Sequence, residues 1–230
     1  MAAVASDGDG IARAAGQPQE KVAVVTGGSR GIGKDICLVL AEQGYAGIAI
    51  NFRSDASRAK AEAVAAQIEA SGSKAKTLLV QADVSVEDDV KRLFAEVDAK
   101  LGKVTALVNN AAILGSKEAD VEKLGLDDLT RVLKVNVHGE ECEEGAVCFV
   151  LPSALDSLSP CPGPFLCTRE ASKRMSVRNG GKGGCVVNVS SGSALIGSPF
   201  CYAISKGALN SMQAGLVKDL AAKGIRINTV

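Results

Sequence analysis

Short apolar runs alternate with segments of helical periodicity from residue 21 to residue 230. The runs predict six strands, at 21–26, 45–52, 75–84, 104–112, 183–191 and 224–230. Between the first four of them, apolar residues recur every three or four positions and predict helices over 32–42, 55–71 and 86–102. The strand segments are continuously apolar, which is typical of parallel strands buried on both faces. The pattern therefore predicts a single doubly wound α/β sheet with helices on both sides.

Local details of these helices can also be predicted. Ser85 precedes the third helix and is the expected N-cap, because its hydroxyl can accept a free N–H of the first turn. In the second helix, Ala63, Ala66 and Ile68 are expected to face the core, and Gly72 is expected to end the helix.

Composition and charge exclude several functional classes. The 26 basic and 26 acidic residues cancel, so no charge excess indicates nucleic acid or a membrane surface. No apolar run reaches the roughly 18 residues of a membrane helix. A single histidine, His138, disfavours a histidine-dependent triad, and the most cysteine-rich stretch spaces its thiols more widely than zinc ligands usually are. With no secretory signal visible in the flexible lead at 1–20, the seven cysteines are expected to be reduced thiols of a cytoplasmic protein.

A glycine-rich turn, "TGGSRGIG" at 26–33, follows the first strand. Gly27, Gly31 and Gly33 permit a tight turn and close backbone approach, and the helix that begins here offers unpaired N–H groups to a pyrophosphate. A purely structural turn could carry the same glycines, but the strand–turn–helix context favours nucleotide binding. The spacing G-x-x-x-G-x-G differs from that of a Walker loop and from G-x-G-x-x-G.

The end of the second strand bears on the choice between NAD and NADP. An acidic residue there would bind the 2′-hydroxyl of NAD. Asn51, Arg53 and Ser54 stand at this point instead, and Arg30 lies in the glycine turn. Guanidinium groups bind phosphate in a forked geometry, so these residues favour NADP(H), unless both arginines are simply solvated.

Tyr202 and Lys206 lie four residues apart in "YAISK" and share one face of a predicted helix. A cation beside a phenol favours the phenolate, so the pair could transfer a proton. The same spacing also occurs by chance on exposed helices, and the pair alone does not decide between the two interpretations.

A series of short motifs resembles the short-chain dehydrogenase/reductase family. The motifs, in order, are "TGGSRGIG", "DV" at 83–84, "NNAA" at 109–112, "KVNVHG" at 134–139, "VVNVSS" at 186–191 and "YAISK". The resemblance covers 21–139 and 164–230, and the chain looks nearest to 3-oxoacyl-carrier-protein reductases and glucose-dehydrogenase-like members. It implies an NADP(H)-dependent oxidoreductase that interconverts a carbonyl and a secondary alcohol.

The resemblance also implies roles for single residues. Tyr202 would give or take the proton, Lys206 would bind the nicotinamide ribose, and Ser191 would hydrogen-bond the substrate oxygen. Asn136 would hold a water of the proton relay. The residues expected to contact the cofactor are Gly27, Ser29, Arg30, Gly31, Ile32, Gly33, Asn51, Arg53, Ser54, Asp83, Val84, Asn109, Ala111, Tyr202 and Lys206.

Residues 140–163 depart from the family pattern. They hold five acidic side chains, no Lys or Arg, and three of the chain's six prolines, which cannot continue a helix. Without them, "KVNVHG" would join "PFLCTREASKRM" as one long helix. Two interpretations stay open: a gene-model error, which we favour, and a real insertion loop beside Asn136.

Two further departures concern the substrate side. The gap between Ser191 and Tyr202 is shorter than usual in the family by about two or three residues. Beyond Val230, family members continue with a segment that covers the substrate. The resemblance implies homodimers or tetramers, formed through the two helices flanking the site, and the departures would impair this assembly. An alternative function is therefore an NADP(H)-binding protein with impaired catalysis.

Overall fold

Six strands form one sheet in the computed structural model, which describes residues 21–118, 120–136 and 163–230. The strands are β1 Val22–Val25, β2 Gly47–Phe52, β3 Lys76–Gln81, β4 Ala106–Asn109, β5 Gly184–Asn188 and β6 Ile225–Thr229. Their order is β3-β2-β1-β4-β5-β6, and every neighbouring pair is parallel. The predicted doubly wound parallel sheet is confirmed.

Helices cover both faces of the sheet. They are α1 Gly31–Glu42, α2 Arg58–Ala70, α3 Glu87–Lys100, α4 Leu126–Asn136, α5 Gly163–Met175, α6 Ser193–Ile196 and α7 Phe200–Ala221. Val24 packs in one buried cluster with α3 and α5, whereas its neighbour Val25 packs in a second cluster with α1 and α2. This alternation explains why the strands are apolar throughout. No helix within the described ranges is long and apolar enough to cross a membrane.

The strand order reverses between β1 and β4. From β1 the chain proceeds outward to β2 and β3, and it then returns through α3 to β4 on the other side of β1. The connections on the two sides leave the sheet in opposite directions, which opens a crevice at the carboxyl ends of β1 and β4. Ligands of such sheets bind at this point.

The described residues that flank segment 137–162 lie side by side. α4 ends at Asn136 and α5 begins at Gly163, where an added Cβ would lie only 2.5 Å from the carbonyl oxygen of Val135. The chain therefore leaves and re-enters the fold at one place. The predicted insert at 140–163 lies outside the described residues except for Gly163, as does the predicted lead at 1–20.

Two local predictions were wrong. The N-cap of α3 is Val86 rather than Ser85, because the Ser85 hydroxyl donates to Asp83 Oδ1 at 2.6 Å instead of facing the helix. In α2, Ala63 and Ala66 are exposed, and the buried positions are Ala61, Val64 and Ile68.

Candidate functional site

A cavity of about 420 Å³ opens at the carboxyl ends of β1 to β4, where the strand order reverses. Ten of the fifteen predicted cofactor residues line it: Gly27, Ser29, Arg30, Gly31, Asn51, Arg53, Ser54, Asp83, Val84 and Ala111. Ile32, Gly33, Asn109, Tyr202 and Lys206 are not part of its lining. The cavity therefore combines the turn after β1 with the ends of three further strands.

The turn after β1 has the geometry of an anion cradle. Gly27 and Gly31 adopt left-handed φ angles of 63° and 54°, which glycine tolerates best. Asn110 Nδ2 donates to the carbonyl oxygens of Thr26 (2.9 Å) and Gly27 (3.2 Å) and fixes the turn against β4. α1 begins here with no acidic residue in its first turn. Its first N–H groups have no intrahelical partner, so the turn fits a pyrophosphate.

Gly33 sits where α1 passes directly over this turn. An added Cβ would lie 2.4 Å from the Gly27 carbonyl oxygen and 2.5 Å from Asn110 Nδ2. The first atom belongs to the backbone of the turn and the second is the amide that bonds it, so relieving the clash moves the turn itself. Gly33 therefore permits α1 to pack closely on the turn. It does not line the cavity itself.

Gly33→Ala is expected to raise the dissociation constant for the predicted dinucleotide by about 10- to 100-fold, since overpacking of this kind costs about 1–3 kcal/mol. Isothermal titration calorimetry measures the change. Gly215→Ala on α7 is the matched control, because its added Cβ meets nothing within 4 Å. Equal dinucleotide affinities in the two variants would contradict the role of Gly33.

Asn51 and Arg53, both predicted to contact cofactor, have different environments. Asn51 is buried; its Nδ2 donates to the carbonyl oxygens of Val80 and Ala82, and its Oδ1 accepts the Gly27 N–H. Its side chain thus positions the turn. The Arg53 side chain lines the cavity, is 62% exposed and pairs with Asp83, its Nε lying 4.0 Å from Asp83 Oδ2.

The two asparagines at the end of β4, Asn109 within the strand and Asn110 just after it, have separate roles. Asn109 is buried behind the cavity, where its Nδ2 donates to Asn188 Oδ1 (2.9 Å) and Thr168 Oγ1 (3.1 Å). This ties β4 to β5 and α5. Asn110, which the sequence analysis did not select, lines the cavity instead. Its position one residue past the end of β4 was the available signal, since residues just beyond adjacent strand ends meet at the crevice.

Tyr202 and Lys206 lie together in the first turns of α7. The Lys206 ammonium is 5.4 Å from the centroid of the Tyr202 ring. Lys206 is only 2% exposed, and its Nζ donates to the Val189 carbonyl oxygen at 2.6 Å. Burial lowers the pKa of Lys206 from its ordinary 10.5 to about 8. A buried cation is therefore held beside the phenol.

Hydrogen bonds join Asn136 to the turn that carries Tyr202. Asn136 is fully buried; its Nδ2 donates to the Ile113 carbonyl oxygen and to Ser205 Oγ, and its Oδ1 accepts the Ile113 N–H. Ser205 Oγ in turn donates to the Tyr202 carbonyl oxygen at 2.7 Å. Ser205 is a second residue that the sequence analysis missed, and nothing in the short motif distinguishes it.

The two serines after β5 are both engaged. Ser190 Oγ donates to the Lys206 carbonyl oxygen at 3.3 Å. Ser191 Oγ donates to Ser193 Oγ at 3.2 Å and accepts the Ser193 N–H. Ser191 thus lies two residues before α6, which packs against α7. These contacts bring the end of β5 and the first turn of α7 to the same edge of the sheet.

Metal ligands do not cluster in the described part of the chain, where no three His, Cys, Asp or Glu residues are placed to hold an ion. Cys167 is buried in α5, and burial raises the pKa of its thiol to about 12. The cysteines of the insert lie outside the described residues.

Comparison with known proteins gives one family. The family model described as short chain dehydrogenase matches residues 21–140 and 161–230 and leaves out 141–160. The matched ranges include Asn136, Ser191, Tyr202 and Lys206.

Similar curated proteins and solved structures extend over most of the chain. An uncharacterized oxidoreductase of Escherichia coli, YgfF, is 40% identical over 212 residues, which are 91% of this chain and 74% of YgfF. An NADPH-dependent aldehyde reductase-like protein of Arabidopsis thaliana is 34% identical over 91% of this chain and 70% of its own. A 3-oxoacyl-(acyl-carrier-protein) reductase of Staphylococcus aureus is 30% identical over 91% and 72%. A short-chain dehydrogenase/reductase structure from Serratia marcescens superposes with a TM-score of 0.70 at 30% identity, covering 92% of this chain and 73% of that one.

Proposed function

The chain belongs to the short-chain dehydrogenase family, and on that premise we propose that it is an NADP(H)-dependent reductase interconverting a carbonyl and a secondary alcohol. One observation carries the proposal. A buried ammonium, Lys206, is held 5.4 Å from the ring of Tyr202, at the same edge of the sheet as a cavity built around a glycine turn. A buried cation with a single carbonyl partner is costly, which is a common property of functional sites.

The nicotinamide ring, when bound, supplies or accepts the hydride. In the reductive direction Tyr202 donates its phenolic proton to the carbonyl oxygen, which becomes the alcohol hydroxyl. The charge of Lys206 stabilises the phenolate left behind. The Val189 carbonyl oxygen fixes the ammonium in place, so little reorganisation is needed when the proton moves.

Ser191 and Asn136 complete the proposed machinery. The Ser191 hydroxyl can rotate from Ser193 to the substrate oxygen, because hydroxyl hydrogens turn freely about the C–O bond. Both amide hydrogens of Asn136 are already used. A relay water would therefore bind the second lone pair of its Oδ1 or its main-chain carbonyl.

The preference for NADP(H) is supported by charge at the cavity. Arg30 and Arg53 both line it, and no acidic residue ends β2. The Arabidopsis relative is named as NADPH-dependent. A 2′-phosphate between these guanidinium groups would gain charge-assisted hydrogen bonds that a ribose hydroxyl cannot supply.

Arg53→Ala is expected to weaken NADPH binding by about 10- to 100-fold and NADH binding by less than about twofold, since a hydrogen bond to a charged group is worth about 1.5–3 kcal/mol. Because the Arg53 side chain is exposed, the substitution should leave the fold intact. Arg58→Ala is the matched control, because Arg58 stacks on Phe52 but does not line the cavity. Equal losses for both cofactors would refute the 2′-phosphate assignment.

A catalytically impaired NADP(H)-binding protein is the alternative. The observation that favours it is the engagement of the Ser191 hydroxyl within its own turn. Thermal shift with NADPH, followed by NADPH oxidation over a panel of ketones, separates the two. Binding with turnover supports the reductase; binding without turnover supports the alternative; absence of both contradicts the two proposals together.

A further inference from the structure

We propose that the substrate is an uncharged ketone with an apolar chain, bound between two apolar segments, one linked by hydrogen bonds to the turn of Tyr202 and the other packed against the helix that carries it. The inference rests on the proposed function and adds the chemical class of the substrate. The first segment is Ile113–Leu114, after β4, and the second is Leu195–Ile196, in α6. Their position, exposure and lack of charge carry the argument.

The first segment is anchored next to Tyr202 by one side chain. Asn136 binds both main-chain groups of Ile113 at 2.8 Å and also bonds Ser205, whose hydroxyl caps the Tyr202 carbonyl. Ile113 lines the cavity, and Leu114 is 51% exposed. An apolar surface is therefore fixed between the cavity and the proton donor.

The second segment approaches from the other strand. α6 begins two residues after Ser191 and packs against α7, which carries Tyr202 in its first turn. Leu195 and Ile196 are 91% and 78% exposed. Two adjacent large apolar side chains, both exposed and both lying between Ser191 and Tyr202 along the chain, indicate a surface that an apolar ligand covers.

The absence of charge defines the class of ligand. Residues 104–116 and 185–205 contain no Asp, Glu, Lys, Arg or His. The Lys206 ammonium is buried, donates to the Val189 carbonyl oxygen and lies beside the Tyr202 ring. The nearby acidic group is Asp128, which is paired with Arg131; burial, and after it the negative charge of Asp128, raise the pKa of Cys201. Arg131 is neutralised by Asp128, so a substrate carboxylate or phosphate would lose water here without gaining an unpaired cationic partner.

Two matched ketones test the proposal: methyl pentyl ketone and its analogue in which the terminal methyl is a carboxylate. The 230-residue chain is assayed with each by NADPH oxidation, with NADPH affinity measured separately by thermal shift. We expect kcat/KM to be higher for the uncharged ketone by at least about tenfold, because the analogue must bury an unpaired charge.

A variant supplies the missing cation. Leu195→Lys should move the ratio of the two kcat/KM values towards the carboxylate by about fivefold, as expected for an exposed charge pair at close range. Val177→Lys introduces the same cation at a 52% exposed position after α5. It should leave the ratio of the two kcat/KM values unchanged. Both sites are exposed, and thermal melts verify that both variants fold.

The outcomes separate the two levels of the proposal. Reduction of both ketones with equal kcat/KM, or a ratio that Leu195→Lys does not move, overturns the substrate class and leaves the reductase assignment standing. NADPH binding with no reduction of any ketone overturns the reductase and the substrate class together. A preference for the uncharged ketone that Leu195→Lys alone diminishes supports both.

Discussion

Replacing Tyr202 with phenylalanine is expected to lower the rate of ketone reduction by about 10²- to 10⁴-fold, the range typical of losing a general acid. The substitution removes only the hydroxyl. The ring keeps its place on α7 and its contact with the Lys206 ammonium, 5.4 Å from the ring centroid, so the fold and the cavity are preserved. NADPH affinity should therefore change by less than about twofold, since the cavity lining does not include Tyr202.

Single-turnover NADPH oxidation under saturating cofactor measures the loss directly. The sequence has one other tyrosine, Tyr45, which lies over Lys21 just before β2, and Tyr45→Phe is the matched control. It deletes the same atom beside a similar cation without touching the site, and it should retain full activity. Normal reduction by the Tyr202 variant would assign the proton to another group, and Ser191 would be the next candidate.

The strands show how far an apolar pattern can be followed. All six were predicted in the correct places, but β3 ends at Gln81 and β4 at Asn109, each short of the predicted end. The residues that follow, such as Val84 and Ala111, remain small or apolar because they line the cavity. Hydrophobicity therefore predicts burial. Apolar residues that line a cavity just after a strand continue the apolar pattern of the strand, so the sequence does not show where the strand ends.

Polar residues near the site were harder to interpret. Asn51 and Asn109 stand at strand ends, where side chains that bind ligands are expected, yet the structure uses both amides to join neighbouring elements. A buried amide satisfies backbone groups as readily as a ligand, and the difference depends on which way the last residue of the strand points. Successive side chains of a strand point to opposite faces, so Asn109 and Asn110 should point in different directions. Which of them faces the cavity can be predicted only once the end of β4 is known.

Small side chains limited the helix predictions in a similar way. α2 is rich in alanine, and the periods through Ala63 and through Ala61 fit the sequence almost equally well. Tertiary packing selects the one that brings Val64 and Ile68 to the core. The site residues on helices, Tyr202 and Lys206, escaped this ambiguity because their motif fixes their relative face.

Lys206 couples the chemistry of the site to the stability of the fold. Its pKa lies near 8 in the folded chain, against an ordinary value of 10.5 that it regains on unfolding. Below about pH 8 both states carry the proton, and the folded state bears the full cost of the buried charge. Between about pH 8 and 10.5 only the unfolded chain holds the proton, so the free energy of unfolding rises with pH. The total change is about 3 kcal/mol.

Lys206→Met removes this pH dependence because methionine fills a similar space without a charge. The stability of the natural chain relative to the variant should rise by about 3 kcal/mol between pH 7 and pH 10.5, with most of the rise above pH 8. Urea denaturation of both proteins across this range measures the difference, and all other titrating groups cancel in it. A difference that stays flat, or that falls as pH rises, would contradict the low pKa.

Lys206→Met should also lower the rate of reduction. The loss of the pH-dependent stability and the loss of activity have one cause, which is removal of the buried ammonium. Without the ammonium, the phenolate of Tyr202 loses its stabilising charge, and reduction should fall by at least about 100-fold. In the natural chain, the fraction of charged Lys206 drops as pH passes 8, so ketone reduction should decline above that pH. The variant's residual activity should show no such decline. A site that keeps a buried cation at a cost to stability is best explained by the need for that charge in the reaction.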